Sequence, residues 1–299
     1  MNDIPTIQSS PECLEILAAQ SSIHSQTKTM LAVQIFLSVP TAILVAVIAK
    51  LEPQFAIYAA CYGIIIGLAD VIFFEQKIVQ LKKMAAQVQE LFDTQVLGLH
   101  WNAIVCGEKP RPEIVVRYFH KHVRAKKNLD RFKAWYPEAV GGTSIEVGRL
   151  LCQRTNCVWG AELRRKYANI LALALILLVI SIVGSGIGAH YTVEALILTL
   201  ILPLLPAFTF GFRQFKTHTQ DSQRLDALTN TVETLINELK SGRRTLESIG
   251  SESRVIQDQI FLQRSEKGVI FDALYELNRK RIDEEVCIAT KKIVAECSR

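Results

Sequence analysis

Charge is missing from two long stretches of this 299-residue chain. Residues 30–74 hold only Lys50, Glu52 and Asp70, and residues 167–212 only Glu194, although 21% of all residues are charged and 49% are hydrophobic. That segregation excludes an ordinary soluble domain, in which charge and apolar residues alternate along every element. Cysteine is also badly spaced for chemistry. The seven thiols (13, 61, 106, 152, 157, 287 and 297) are odd in number and contain no C-x-x-C pair, which argues against a disulfide framework or a four-cysteine zinc site. They are read as reduced thiols. Residues 1–29 carry Lys28 as their one basic residue and lack a basic region followed by a short apolar stretch and a small-residue cleavage site. No cleavable signal peptide is expected, so the first apolar tract should act as an uncleaved anchor.

Catalytic signatures are absent as well. There is no His-Glu-x-x-His, no Ser-His-Asp arrangement, no recognisable carboxylate pair, and Gly141-Gly142-Thr143-Ser144 lacks the Gly-Lys-Ser/Thr ending of a nucleotide-hydrolysing loop. No enzyme signature, cofactor or metal is expected.

What is present is length and apolarity. Crossing about 30 Å of hydrocarbon takes roughly 20 apolar residues in a helix. Met30–Ala49, Phe55–Phe74, Tyr167–Ala189 and Ala195–Phe212 meet that requirement. Backbone amides in lipid must be satisfied within the segment, so each is expected to be helical. Lys50–Gln54 and His190–Glu194 are too short to do more than join them as two hairpins. The expected fold is therefore an all-α membrane protein. Its parts would be an N-terminal helix at 1–29, a first hairpin at 30–74, a helical region at 75–166, a second hairpin at 167–212 and C-terminal helices at 213–299.

Orientation follows from Lys and Arg. Thirty-three of the 34 lie before the first span, between the hairpins or after the fourth span, and Lys50 alone sits in a turn. Basic residues collect on cytoplasmic flanks. Both termini and the central region are thus expected in the cytoplasm of a bacterial cell, with the spans in the inner membrane and the turns facing the periplasm.

Periodicity extends two spans outward. Ile78, Leu81, Ala85, Val88 and Phe92 recur at steps of three and four, and Leu225, Leu228, Val232, Leu235, Leu239, Leu246 and Ile249 keep heptad steps interrupted at Gly242. The second pattern is coiled-coil-like and implies a partner helix in this chain or another. Pro112 can open a helix expected to run from Glu113 to about Trp135. Thr143 stands three residues before Glu146, a capping-box spacing, and the helix it starts should run unbroken into the third span. Final helices are expected over about 252–264 and 269–296.

Several positions could carry function. Gly63 and Gly67, and Gly184 and Gly188, each form G-x-x-x-G, which suits either an oligomerising or pore-forming face or close packing within one four-helix bundle. Asp70 either lines a cation pathway or sits at the inner headgroups. Pro203 and Pro206 should kink the fourth span. Arg117, Lys121, Arg124 and Arg131 fall on one face of the expected central helix, suited to a phosphate-bearing ligand or to anionic lipid. Arg149, Arg154 and Arg164, with Gln153 and Asn156, form a second cluster that could meet phosphate.

The central region also contains Glu90-Leu91-Phe92-Asp93-Thr94-Gln95-Val96-Leu97-Gly98-Leu99-His100-Trp101-Asn102, then Trp135-Tyr136-Pro137, then Cys152-Gln153-Arg154-Thr155-Asn156-Cys157-Val158-Trp159 with Leu163, Arg164 and Tyr167. With Leu17-Ala18-Ala19-Gln20 before the first span, this order resembles the SMODS-associated four-transmembrane effector family of bacterial conflict systems across essentially the whole chain. Ser21, Ser22, His24 and Gly160 depart from the pattern expected of it. The resemblance implies a pore-forming effector of cyclic-oligonucleotide anti-phage signalling (CBASS). Its partners would be the lipid bilayer, a cyclic oligonucleotide and further copies of itself, with no DNA or RNA polymer. The competing expectation is a non-conducting membrane scaffold or receptor that recruits a partner through its polar helices.

Overall fold

The computed structural model describes residues 1–297, and those residues contain helices and no strand. The longer helices are α1 (Pro11–Ser38), α2 (Pro40–Leu51), α3 (Ala56–Ala69), α4 (Glu75–Leu97), α5 (Pro112–Arg124), α6 (Ile145–Gly188), α7 (Leu202–Lys240), α8 (Leu246–Glu266) and α9 (Asp272–Cys297). Four helical stretches are long and apolar enough to cross a membrane: Pro11–Leu51, Pro53–Leu97, Ile145–Gly188 and Val193–Lys240. The all-α membrane fold read from the sequence is the one observed. The residues fall into a polar unit (Met1–Gln26, Leu81–Arg164, Gln220–Arg299) and a membrane unit (Thr27–Gln80, Arg165–Thr219).

In the membrane unit the usual arrangement of a soluble protein is inverted. Many of its buried side chains are small or polar: Thr27, Gln34, Ser38, Ala42, Ala46 and Ala49 on the first span, Ala59, Ala60 and Asp70 on the second, Thr199 and Ala207 on the fourth, beside the larger Leu31, Leu200, Leu204 and Phe210. Large apolar side chains such as Phe36, Leu44, Ile57, Ile65, Phe73 and Ile180 point outward. Lipid is as apolar as leucine, so nothing drives leucine inward there, and small residues allow helices to approach closely.

Each irregularity in the spans has a repair. Pro40 has no amide to give Phe36, and the first span breaks there between α1 and α2. The Thr41 hydroxyl donates to the Phe36 carbonyl at 2.8 Å, and the Tyr62 hydroxyl donates to the adjacent Leu37 carbonyl at 2.6 Å. The fourth span widens into a π segment, Ile197–Ile201, just before Pro203. Pro206 lies inside α7, so it cannot donate to the Leu202 carbonyl. That carbonyl faces Gly63, where any Cβ would collide with it. Gly63 is therefore required by a backbone approach within the unit. Gly67, Gly184 and Gly188 would admit a Cβ without touching anything.

The polar unit is packed conventionally. Leu81, Ala85, Val88, Phe92 and Val96 of α4 are buried at the expected spacing, with Phe92 stacked on Tyr136 at 6.2 Å between ring centres. Gly98 ends α4 with φ +60°, and the Leu99 amide reaches back to the Thr94 carbonyl. Gly242, φ +68°, ends α7 in the same way, with Arg243 N–H on the Glu238 carbonyl. Leu225, Val232 and Leu235 are buried inside this unit.

Two local expectations need correction. The helix expected to reach Trp135 stops at Arg124, and Asp130–Phe132 is a separate 3-10 turn. The cations clustered at its end suit a helix C-terminus, and the Asn128 side chain takes the Asp130 amide at 2.8 Å, fixing a turn in place of another helical bond. Arg131 therefore does not extend the face of Arg117, Lys121 and Arg124. The helix after Gly142 is capped by Ser144, one residue later than expected. Its hydroxyl accepts from Val147 N–H at 3.4 Å, while the Thr143 hydroxyl turns back to the Val140 carbonyl. The expectation that this helix runs on through the third span holds, since α6 is continuous.

Candidate functional site

The membrane unit buries a carboxylate, Asp70, among its spans. Asp70 is buried and begins a π segment, Asp70–Phe74, that separates α3 from α4. Its carboxylate accepts hydrogen bonds from the Gln34 amide and from the Arg213 guanidinium, and Arg213 also donates to Glu75 at 3.2 Å. Three spans thus meet at one carboxylate. Val71, Ile72 and Phe73 are exposed beyond Asp70, so the apolar outer surface continues past it. A carboxylate at such a level costs a few kcal/mol unless it is paired, and Arg213 supplies the pair.

The polar unit holds a second, larger cluster. Glu90 and Asp93, fully buried on α4, face Arg254, Gln257 and Arg264 of α8. Arg254 donates to Glu90 at 2.7 Å and to Asp258 at 2.8 Å, and Gln257 bridges Glu90 and Asp93 at 2.8 and 3.0 Å. Arg264 pairs with Asp93, which also accepts from the Tyr136 hydroxyl at 2.7 Å. The Asn156 amide in turn donates to that hydroxyl at 2.9 Å. Burial, reinforced by the charge of Asp93, pushes the Glu90 carboxyl up to about 7, against the opposing pull of Gln257 and Arg254. Charged groups this deep are tolerated because nearly every lone pair has a donor.

The residues singled out as phosphate ligands divide between these surroundings and open surface. Arg149 donates to the Leu97 and Gly98 carbonyls at 2.6 and 2.9 Å, closing the end of α4. Gln153 is buried and donates to the Ser253 carbonyl at 2.7 Å. Arg154 pairs with Glu233 at 2.6 Å, and buried Arg164 lies 3.5 Å from Asp221. Arg131 pairs with Glu276 at 3.1 Å. Arg117, Lys121 and Arg124 are exposed on α5, with the Lys121 ammonium over the Tyr118 ring at 4.6 Å.

Against known proteins, the family model described as SMODS-associating 4TM effector domain matches residues 2–293. The chain belongs to that family. It is 25% identical over 289 residues to a probable CBASS effector molecule of Bacillus cereus (strain VD146), covering 93% of this chain and 94% of that one. No solved structure matches it. The protein is thus a multi-pass membrane effector.

Sequence reasoning did not find the inner polar face. Gln34 and Ser38 look like isolated interruptions in an apolar tract, yet Thr27, Gln34 and Ser38 are spaced by seven and four, which places them on one side of the first span. Arg213 and Glu75 lie just outside the expected spans and read as flanking charges. Only their convergence on Asp70 gives them meaning.

Proposed function

We propose that the protein permeabilises the bacterial inner membrane during anti-phage defence, when a cyclic oligonucleotide binds its polar unit on the cytoplasmic side. The observation that carries this reading is the inner face of the membrane unit. Thr27, Gln34, Ser38, Asp70 and Thr199 are turned inward while large apolar residues cover the outside. A conducting path needs inward polar groups of this kind.

Two further observations fit. None of the most apolar stretch of the third span is buried, and its Gly184 and Gly188 are open, so this helix can pack against another copy in an assembly large enough to enclose a pore. Arg117, Lys121 and Arg124 offer exposed cations to phosphate, while Arg149, Gln153, Arg154 and Asn156 serve the polar unit's own packing. The scaffold alternative loses its main support, because the periodic face of α7 is covered within the chain. The relative's description as a CBASS effector supports the defence role, and the distribution of basic residues supports a cytoplasmic polar unit.

The test is leakage from liposomes containing the purified full chain. At least one cyclic di- or trinucleotide should release entrapped K⁺, and Arg117→Glu with Lys121→Glu should raise the concentration required. Binding of a cyclic oligonucleotide without release would refute permeabilisation.

A further inference from the structure

Asp70 and Glu75 are five residues apart. In an α-helix, at about 100° per residue, their side chains would point roughly 140° apart and could not share one guanidinium. The π segment Asp70–Phe74 removes that divergence, and both carboxylates reach Arg213. π segments of this kind are uncommon and recur at functional sites. The cluster is also unbalanced. Two carboxylates face one guanidinium, and the Gln34 Oε1, in a side chain only 2% exposed, is buried with no partner among the described residues. An orphaned acceptor beside surplus negative charge is an arrangement that a small cation would complete. Arg213, with about a third of its side chain exposed, is the cation of the cluster and can leave without dismantling the interior, Glu75 lying at the same exposed edge.

We propose that Asp70, Glu75 and Gln34 form a monovalent-cation site on the permeation path, and that Arg213 occupies it as a tethered cation that holds the path shut. The proposal rests on the permeabilising function above and assigns it an ion class and a latch. When Arg213 withdraws, the carboxylates and the Gln34 carbonyl oxygen are left uncompensated in a unit that also buries the hydroxyl-bearing Ser38 and Thr199. Cations are then admitted and anions rejected by the surplus negative charge.

The experiment uses the full chain in liposomes, with K⁺ and Cl⁻ fluxes read separately and no oligonucleotide added. Arg213→Gln should leak K⁺ at least tenfold faster than wild type and favour K⁺ over Cl⁻, while Arg213→Lys, which keeps the tethered charge, should stay closed. Because a lone buried carboxylate can prevent folding, the neutral pair Asp70→Asn with Arg213→Gln is the companion variant. It should leak and lose most of the K⁺ preference. The latch is refuted if both variants lacking Arg213 remain as tight as wild type, and the cation site is refuted if Arg213→Gln passes K⁺ and Cl⁻ equally. K⁺ release from wild type by a cyclic oligonucleotide, alongside either refuting result, would overturn the inference and leave the permeabilising function standing.

Discussion

Replacing Glu90 with glutamine should stabilise the protein at pH 8, although the change deletes a buried ion-pair partner of Arg254. In the unfolded chain this carboxyl titrates near 4.5, and in the folded protein near 7. The folded state therefore holds a proton that the unfolded state has released, and between those values stability falls as pH rises. A shift of this size corresponds to about 3 kcal/mol, at about 1.4 kcal/mol per pKa unit. Below pH 4.5 the carboxyl is neutral in both states and resembles the amide that would replace it. Above 7 the wild type bears the whole cost and the variant none. The assay is thermal unfolding of the detergent-solubilised full chain, wild type and Glu90→Gln side by side, from pH 5 to pH 8. At about 2–4 °C per kcal/mol for a unit of 150–250 residues, the difference between the two melting temperatures should move by several degrees in the variant's favour as pH rises. Taking the difference cancels other groups, such as His122, whose pKa burial lowers and which acts in the opposite direction. A difference that stays constant with pH, or one that turns against the variant at pH 8, would refute the reasoning.

Three further outcomes are expected. Gly63→Ala should destabilise the membrane unit by about 1–3 kcal/mol because its Cβ meets the Leu202 backbone, while Gly67→Ala, with open space around it, should change stability by less than about 0.5 kcal/mol; paired melts in one detergent check this. Arg264→Met leaves Asp93 buried and unpaired and should cost about 3–5 kcal/mol, part of which Asp93→Asn in the same chain restores, as read by chemical unfolding. Arg154→Lys loosens a partly exposed pair with Glu233 and should cost no more than about 1 kcal/mol without changing the oligonucleotide concentration needed for K⁺ release; a clear rise in that concentration at normal protein levels would make Arg154 a ligand contact.

The sequence disclosed whatever repeats or accumulates along one helix. Apolar length marked the spans and the step of Leu81, Ala85, Val88 and Phe92 marked the buried side of α4, whereas the heptad pattern read through Gly242 to Ile249 is split there, α7 ending at Lys240 and α8 starting at Leu246. Single hydrogen bonds were not legible. Nothing in the basic run after Arg124 announces that the Asn128 side chain will take a backbone amide and end the helix. Pairings across great distances were equally hidden. Asp93 and Arg264 are 171 positions apart, and Asp70 and Arg213 are 143 apart, with no periodic signal joining either pair. The sites are built from such pairs, which is why the fold was readable further than the chemistry.

The order in which the buried cluster's members emerge from the ribosome adds a consequence of its own. Glu90 and Asp93 are synthesised between the two pairs of apolar segments, whereas Arg254, Gln257 and Arg264 follow all four. Until those last residues appear, two carboxylates lack their cations and α4 has no α8 to close against. A nascent or truncated chain therefore cannot complete its polar unit, however well its apolar segments have inserted. Under the proposed permeabilising function, completing the polar unit only after all four apolar segments have been made is a built-in delay between synthesis and competence.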